Sequence, residues 1–242
     1  MCNTEDIYKN QSRWDKYFHN SNDIVLEIWT GLGNFFSREV LKYSDKNFIW
    51  MEIKYKRLYI SAEKALWNLN NYTDNWVRPK GVLRRKKTPP LTPPSKGGAK
   101  DNCSIPPLTR GRLGGGSNFV LLKDKWEHIV DIFWENEISL SYIFFPDPWS
   151  RKKKRLKNRL LQETFLTHLY NITKVWWKSI IKTDHLWYFE FVLEEVKKTP
   201  WKIIKQSNDW ENENTFDDSE TTEFQQLFRW QDININYLEL EK

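Results

Sequence analysis

Three carboxylates stand where strand-like runs of this chain end. Glu27 lies at the close of "IVLEI" (24–28), Glu52 at the close of "NFIWMEI" (47–53), and Asp147 between two prolines after "SYIFF". An acid at the carboxyl end of a buried strand accepts hydrogen bonds from a ligand laid across the sheet edge. Glu52 comes 25 residues after Glu27, close to the roughly 20-residue spacing at which a carboxylate takes the two hydroxyls of a ribose. Any one of these acids alone reads as a solvated surface group; three on one rim point to a ligand. The loop after the first strand, "EIWTGLG", lacks the G-x-G-x-x-G spacing that cradles a pyrophosphate. The acid before that loop repels phosphate and suits a sulfonium and an amino group, which favours S-adenosylmethionine over a nicotinamide dinucleotide.

The densest stretch is "FFPDPWSRKKKRLKNRLL" (144–161). Two prolines fix the backbone on either side of Asp147 and so hold its carboxylate in place. An aromatic, Trp149, follows, and then seven lysines and arginines in the nine positions 151–159. Taken alone the basic run is a solvated helix face. Directly after a strand-end acid it reads as a surface for phosphates, with Trp149 able to stack on a base.

These groups need a scaffold, and the hydrophobic pattern supplies one. Strand-length apolar runs at 24–28, 47–53, 118–124, 139–149 and 178–184 alternate with helical spacing at 34–44, 56–69, 127–133, 160–173 and 185–199. "TTEFQQLFRW" and "ININYLEL" close the chain as helix and strand. Strands separated by helices predict an α/β fold, a mostly parallel sheet with helices on both faces. Ligands then bind at the carboxyl ends of the strands, at the switch point.

Residues 81–117 stand apart. They hold six of the ten prolines, seven of the nine glycines, eight lysines and arginines and one acid, Asp101. They repeat "PPLT" followed by a glycine pair and show no hydrophobic periodicity, so they read as a disordered insertion in a single domain spanning 1–242. A surface insertion is tolerated because loop-closure entropy grows slowly with length; a basic, flexible RNA-binding arm is the sharper alternative. Without them the chain is close to neutral, although the whole carries +6. Cys2 and Cys103 make neither a disulfide framework nor a zinc spacing, so no metal is expected. No apolar run reaches the roughly 18 residues of a membrane span, and the polar start of the chain reads as neither signal nor anchor. The expectation is a cytoplasmic protein.

On "LEIWTGLG", "FIWMEIKYKR", "FFPDPWSRKKKRLKNRLLQETFL", "IIKTDH" and "TTEF", the chain resembles the bacterial tRNA (guanine-N7-)-methyltransferases, from about Val25 to Leu240 without the insertion. The resemblance implies a Rossmann-like class I methyltransferase that methylates N7 of a guanine in the tRNA variable loop. It implies cofactor contacts by Glu27, Gly31, Gly33, Glu52, Asp124 and Asp147, with Asp147 catalytic. It implies substrate contacts by Arg151, Asp184 and the Thr222–Gln225 stretch. Arg151 stands where the family prefers Lys, and Gln225 where it usually has Glu. The competing readings are a tRNA-binding pseudoenzyme and a methyltransferase of another substrate.

Tryptophan is the larger departure from that family. Trp29, Trp50, Trp177 and Trp230 stand at positions where the pattern expects glycine. Outside residues 81–117 only Gly31 and Gly33 remain, against fourteen tryptophans, although glycine makes up about 7% of an average chain. A stop codon reassigned to glycine but translated as tryptophan would give this composition. In a chain that truly carries Trp29, the indole stands where backbone must approach a cofactor.

Overall fold

The computed structural model describes residue 8, residues 10–61 apart from 30, 32, 55 and 59, and residues 118–149, 157–213 and 221–242. The insertion expected at 81–117, Arg151 and most of the basic run lie outside the described residues.

One seven-stranded sheet carries the molecule: β1 (Asp23–Ile28), β2 (Lys46–Met51), β3 (Phe119–Leu122), β4 (Ile138–Phe144), β5 (Thr173–Thr183), β6 (Lys202–Ser207) and β7 (Asn236–Glu241), in the order β3-β2-β1-β4-β5-β7-β6. β1 to β5 pair in parallel; β7 runs antiparallel between β5 and β6. The two central strands show why the sequence reads as apolar runs. All but the first residue of β1 and of β2 is buried, as in a parallel sheet covered on both faces.

Alternate residues feed two cores. Leu26, Ile28, Ile49, Met51, Ile143 and Ile181 face one side, where they pack with α1 (Trp14–Phe18), α3 (Ile129–Ile132), α4 (Glu163–Ile172) and α5 (Leu186–Val196). Val25, Phe48, Trp50, Tyr142, Phe144 and Ile180 face the other and pack against Phe35, Phe36 and Val40 of α2 (Asn34–Lys42). Two short helices, α6 (Trp210–Glu213) and α7 (Glu223–Trp230), precede the last strand. Among the described residues no helix is long and apolar enough to cross a membrane.

The pattern misses β6. Five of its six residues are exposed, including Ile203 and Ile204. It is an edge strand wetted on both faces, so neither alternation nor a buried run marks it, and its lysines discourage edge-to-edge pairing. β5 is also longer than the expected 178–184. Its register against β4 jumps from Thr173 to Lys178, and the intervening bulge places Trp176 at φ +68. The left-handed position therefore falls on Trp176, one residue before the expected Trp177, because the bulge turns there while Trp177 is already extended.

Asn118 fastens the entry to β3. Its Nδ2 donates to the carbonyls of Lys46 (3.1 Å), Tyr43 (3.2 Å) and Val40 (3.4 Å), closing the α2–β2 loop onto the sheet. Asn118→Ala leaves those carbonyls without this donor. Chemical denaturation of the variant is expected to show about 1–3 kcal/mol less stability.

Candidate functional site

The strand order reverses between β1 and β4, so the connections leaving their carboxyl ends diverge and open a crevice. A small cleft open to solvent lies there. Glu27 and Trp29 from the end of β1, Gly31 and Gly33 from the following loop, and Phe144 and Phe145 from the end of β4 form its wall. Thr222 and Phe224 close it from the start of α7.

The glycine loop is shaped by backbone demand. Gly31 and Gly33 both take left-handed φ, +57 and +72, which suits a residue without Cβ. A Cβ at Gly33 would collide with the Ser61 side chain, and one at Gly31 would come within 3.1 Å of the Phe224 ring. Trp29 takes φ +76 in the same loop without being glycine. Its backbone N–H donates to the Met51 carbonyl at 3.1 Å, and its indole lies 5.1 Å from that of Trp126.

The register sets Glu27 opposite Trp50 and Glu52 two residues beyond it, near enough for the Glu52 charge to act on Glu27. Both are 2% exposed. Oε2 of each makes no hydrogen bond. Glu52 Oε1 accepts from the Lys54 N–H at 2.8 Å, and Arg57 lies 3.6 Å from its Oε2. Burial pushes the Glu27 carboxyl well above the usual carboxylate range, and the carboxylates of Glu39 and Glu52 push it further. This is a buried acid in the cleft wall with an acceptor oxygen that no protein donor fills. A cationic donor beside it favours its ionised form. The site therefore fits a group that brings an ammonium and hydroxyls.

Asp124 differs. Its carboxylate accepts from the Tyr8 hydroxyl (2.9 Å), the Lys125 N–H (2.7 Å) and His128 Nδ1 (2.8 Å), so protein donors already hold both oxygens. Tyr8 is pushed up to about 12 by burial and by this carboxylate. Asp147 stands exposed on the rim, two residues beyond Phe145 and outside the cleft wall. Asp184 is half-buried after β5, with one oxygen 3.5 Å from His185 Nε2.

Thr222 caps α7, its hydroxyl accepting from the Gln225 N–H at 3.1 Å. Gln225 is 1% exposed, and its Oε1 lies 3.4 Å from the ammonium of Lys182. The pattern missed Lys182, a buried cation at the end of β5, 4.9 Å above the Phe144 ring that lines the cleft. Its signal was a charge inside the apolar run "IIKTD". Arg38, also missed, donates from the middle of α2 to the carbonyl of Thr221 just before α7. The structure thus gathers Glu27, Gly31, Gly33 and Thr222 into one wall. Glu52 lies beside it and Gln225 behind it, and Asp147 and Asp184 stand at strand ends on the same edge.

A family model described as a putative methyltransferase matches residues 108–237. The tRNA (guanine-N(7)-)-methyltransferase of Bdellovibrio bacteriovorus is 27% identical over 90% of this chain and 81% of its own. The one from Clostridioides difficile is 28% identical over 98% and 89%. A bifunctional glycosyltransferase/methyltransferase of Fusobacterium nucleatum is 31% identical along the whole chain, which spans 30% of that protein's length. Among solved structures, the 16S rRNA methyltransferase KamB superposes with a TM-score of 0.56 at 11% identity, covering 94% of this chain and 91% of that one. The likeness shows the fold: a Rossmann-like methyltransferase sheet.

Because Glu27 holds its proton more tightly folded than unfolded, its burial costs stability as pH rises above the ordinary carboxylate value, and the cost grows until the raised value is passed. Glu27→Gln removes that cost. Urea denaturation from about pH 5 to about pH 8 is expected to show the parent losing stability relative to the variant across that range.

Proposed function

The chain belongs to the putative methyltransferase family, and from that premise we propose that it transfers a methyl group from S-adenosylmethionine to N7 of a guanine in the variable loop of tRNA. The observation that carries the reading is the pair of buried carboxylates at the carboxyl ends of β1 and β2, Glu27 and Glu52, each with an oxygen that makes no hydrogen bond. The names of the Bdellovibrio and Clostridioides relatives give the acceptor.

Glu27, Glu52, Gly31 and Gly33 would hold the cofactor, with Asp147 on the rim and Asp124, bonded to Tyr8 and His128, at the end of β3. Bound there, S-adenosylmethionine supplies an electrophilic methyl group on a sulfonium. Guanine N7 carries a free lone pair and no proton, so the chain needs no strong general base and contributes placement. The Asp147 carboxylate, fixed between Pro146 and Pro148, is assigned to the positive charge that grows on the base. Arg151 and the basic run would meet the tRNA backbone, and Asp184, Thr222 and Gln225 would hold the nucleotide at the cleft mouth. Such an enzyme works in the cytoplasm, where tRNA is.

A second reading comes from Trp29. An indole in the cleft wall favours a chain that binds tRNA without turning it over.

Two proteins test both readings: the chain and its Trp29→Gly variant, each given methyl-labelled cofactor and an unmodified tRNA transcript. Label in 7-methylguanine of the variable loop in at least one supports the enzyme. Label in another base or position contradicts it. Binding of tRNA with no transfer by either protein favours the second reading. In whichever protein is active, Asp147→Asn is expected to lower single-turnover methyl transfer by about 100-fold. Filter binding is expected to show tRNA affinity within about threefold of the parent, as charge removal on the reacting side should leave backbone contacts intact.

A further inference from the structure

We infer that positions 29 and 176 are glycine in the working protein, their codons being read as glycine in the cell of origin, and that the side chain at 29 governs access to the cofactor cleft. The second part rests on the methyltransferase reading; the first does not.

The backbone makes the demand. Trp29 and Trp176 sit at φ +76 and +68, where Cβ crowds the following carbonyl and glycine is the ordinary occupant. Among the described residues, three of the eight non-glycine residues with left-handed φ are tryptophans. The third, Trp149, is half-buried within the Pro-Asp-Pro-Trp run by which the chain resembles its family. Trp176 is 71% exposed on its bulge, so burial of the indole does not offset the strained backbone.

The hydrogen bonding of the buried indoles sorts in the same direction. Trp14 and Trp201, both buried, donate from Nε1 to the carbonyls of Ile132 (3.4 Å) and Leu166 (2.8 Å). They are built into the core as tryptophans. Trp50 is fully buried, but its Nε1 makes no hydrogen bond, which a tryptophan selected for that place would avoid. The shortage of glycine outside 81–117, with only Gly31 and Gly33, is what a second decoding of one codon leaves behind.

At position 29 the consequence is functional. β2 lies between β1 and β3 in the sheet. Trp29 follows β1, Trp126 follows β3, and their rings meet at 5.1 Å. The pair therefore bridges the carboxyl end of β2, where Glu52 stands, and Trp29 also lines the cleft beside Glu27. Glycine at 29 keeps the backbone path and its bond to Met51 while removing the bridge.

The test reads the gene and the protein. UGG specifies tryptophan in the standard code, whereas UGA is a stop that reassigned codes read as tryptophan or glycine. UGA at 29 and 176 with UGG at 14 and 201 is expected; UGG at 29 or 176 overturns the inference. In calorimetry with S-adenosylhomocysteine, Trp29→Gly is expected to bind about tenfold or more tightly than the chain. Equal binding by the two overturns the access role and leaves the cofactor reading standing. Absence of binding by both folded proteins overturns the cofactor reading and the access role together. Trp176→Gly, remote from the cleft, is expected to raise the thermal midpoint by about 2–4 °C with unchanged ligand affinity; an unchanged or lower midpoint overturns glycine at 176.

Discussion

A carboxyl group buried at the end of a central parallel strand is the constraint around which this structure is arranged. Glu27 sits with another carboxylate, Glu52, beside it and a third, Glu39, in the helix packed over it. Nothing in that arrangement favours folding, since burial and two neighbouring acids all oppose ionisation. The apolar strands around it must therefore carry it. Leu26 and Ile28 on one face and Val25 on the other are all buried, and each such side chain contributes roughly 1.5–3 kcal/mol. A cationic ligand that satisfies the free oxygen recovers what the fold gives up, so stability and binding are opposed at this residue.

The rest of the site is held by connections that cross the sheet edge. Arg38 joins the middle of α2 to the segment before α7, and Thr222 caps α7 where it faces the cleft. Behind that cap, Gln225 and the buried Lys182 link α7 to β5. Phe224 lies against the Gly31 backbone. The cleft mouth is thus built from residues nearly 200 positions apart in sequence, and movement of α7 would be felt directly at the glycine loop.

The sheet and its strand-end acids were legible in the sequence because both faces of β1 and β2 are covered, which leaves continuous apolar runs broken by a single acid. β6 was not legible, because an edge strand wetted on both faces carries no period. Glu27 and Glu52 were found by their place at strand ends. What their burial does to Glu27, and the commitment of Asp124 to Tyr8 and His128, depend on contacts more than a hundred residues apart in the case of Tyr8. Lys182 escaped because a lysine in an apolar run looks like a strand end, and only packing shows it enclosed. The excess of tryptophan was visible in composition alone, but the left-handed backbone at 29 and 176 required the fold.

Proton release tests the central claim most directly. Calorimetry of S-adenosylhomocysteine binding to the Trp29→Gly protein, in buffers of different ionisation enthalpy near pH 6, counts protons exchanged. If Glu27 is the buried acid that the ligand ionises, binding releases up to about one proton, and Glu27→Gln abolishes that release and weakens binding. Binding with no proton release, at an affinity that Glu27→Gln leaves unchanged, would contradict the account.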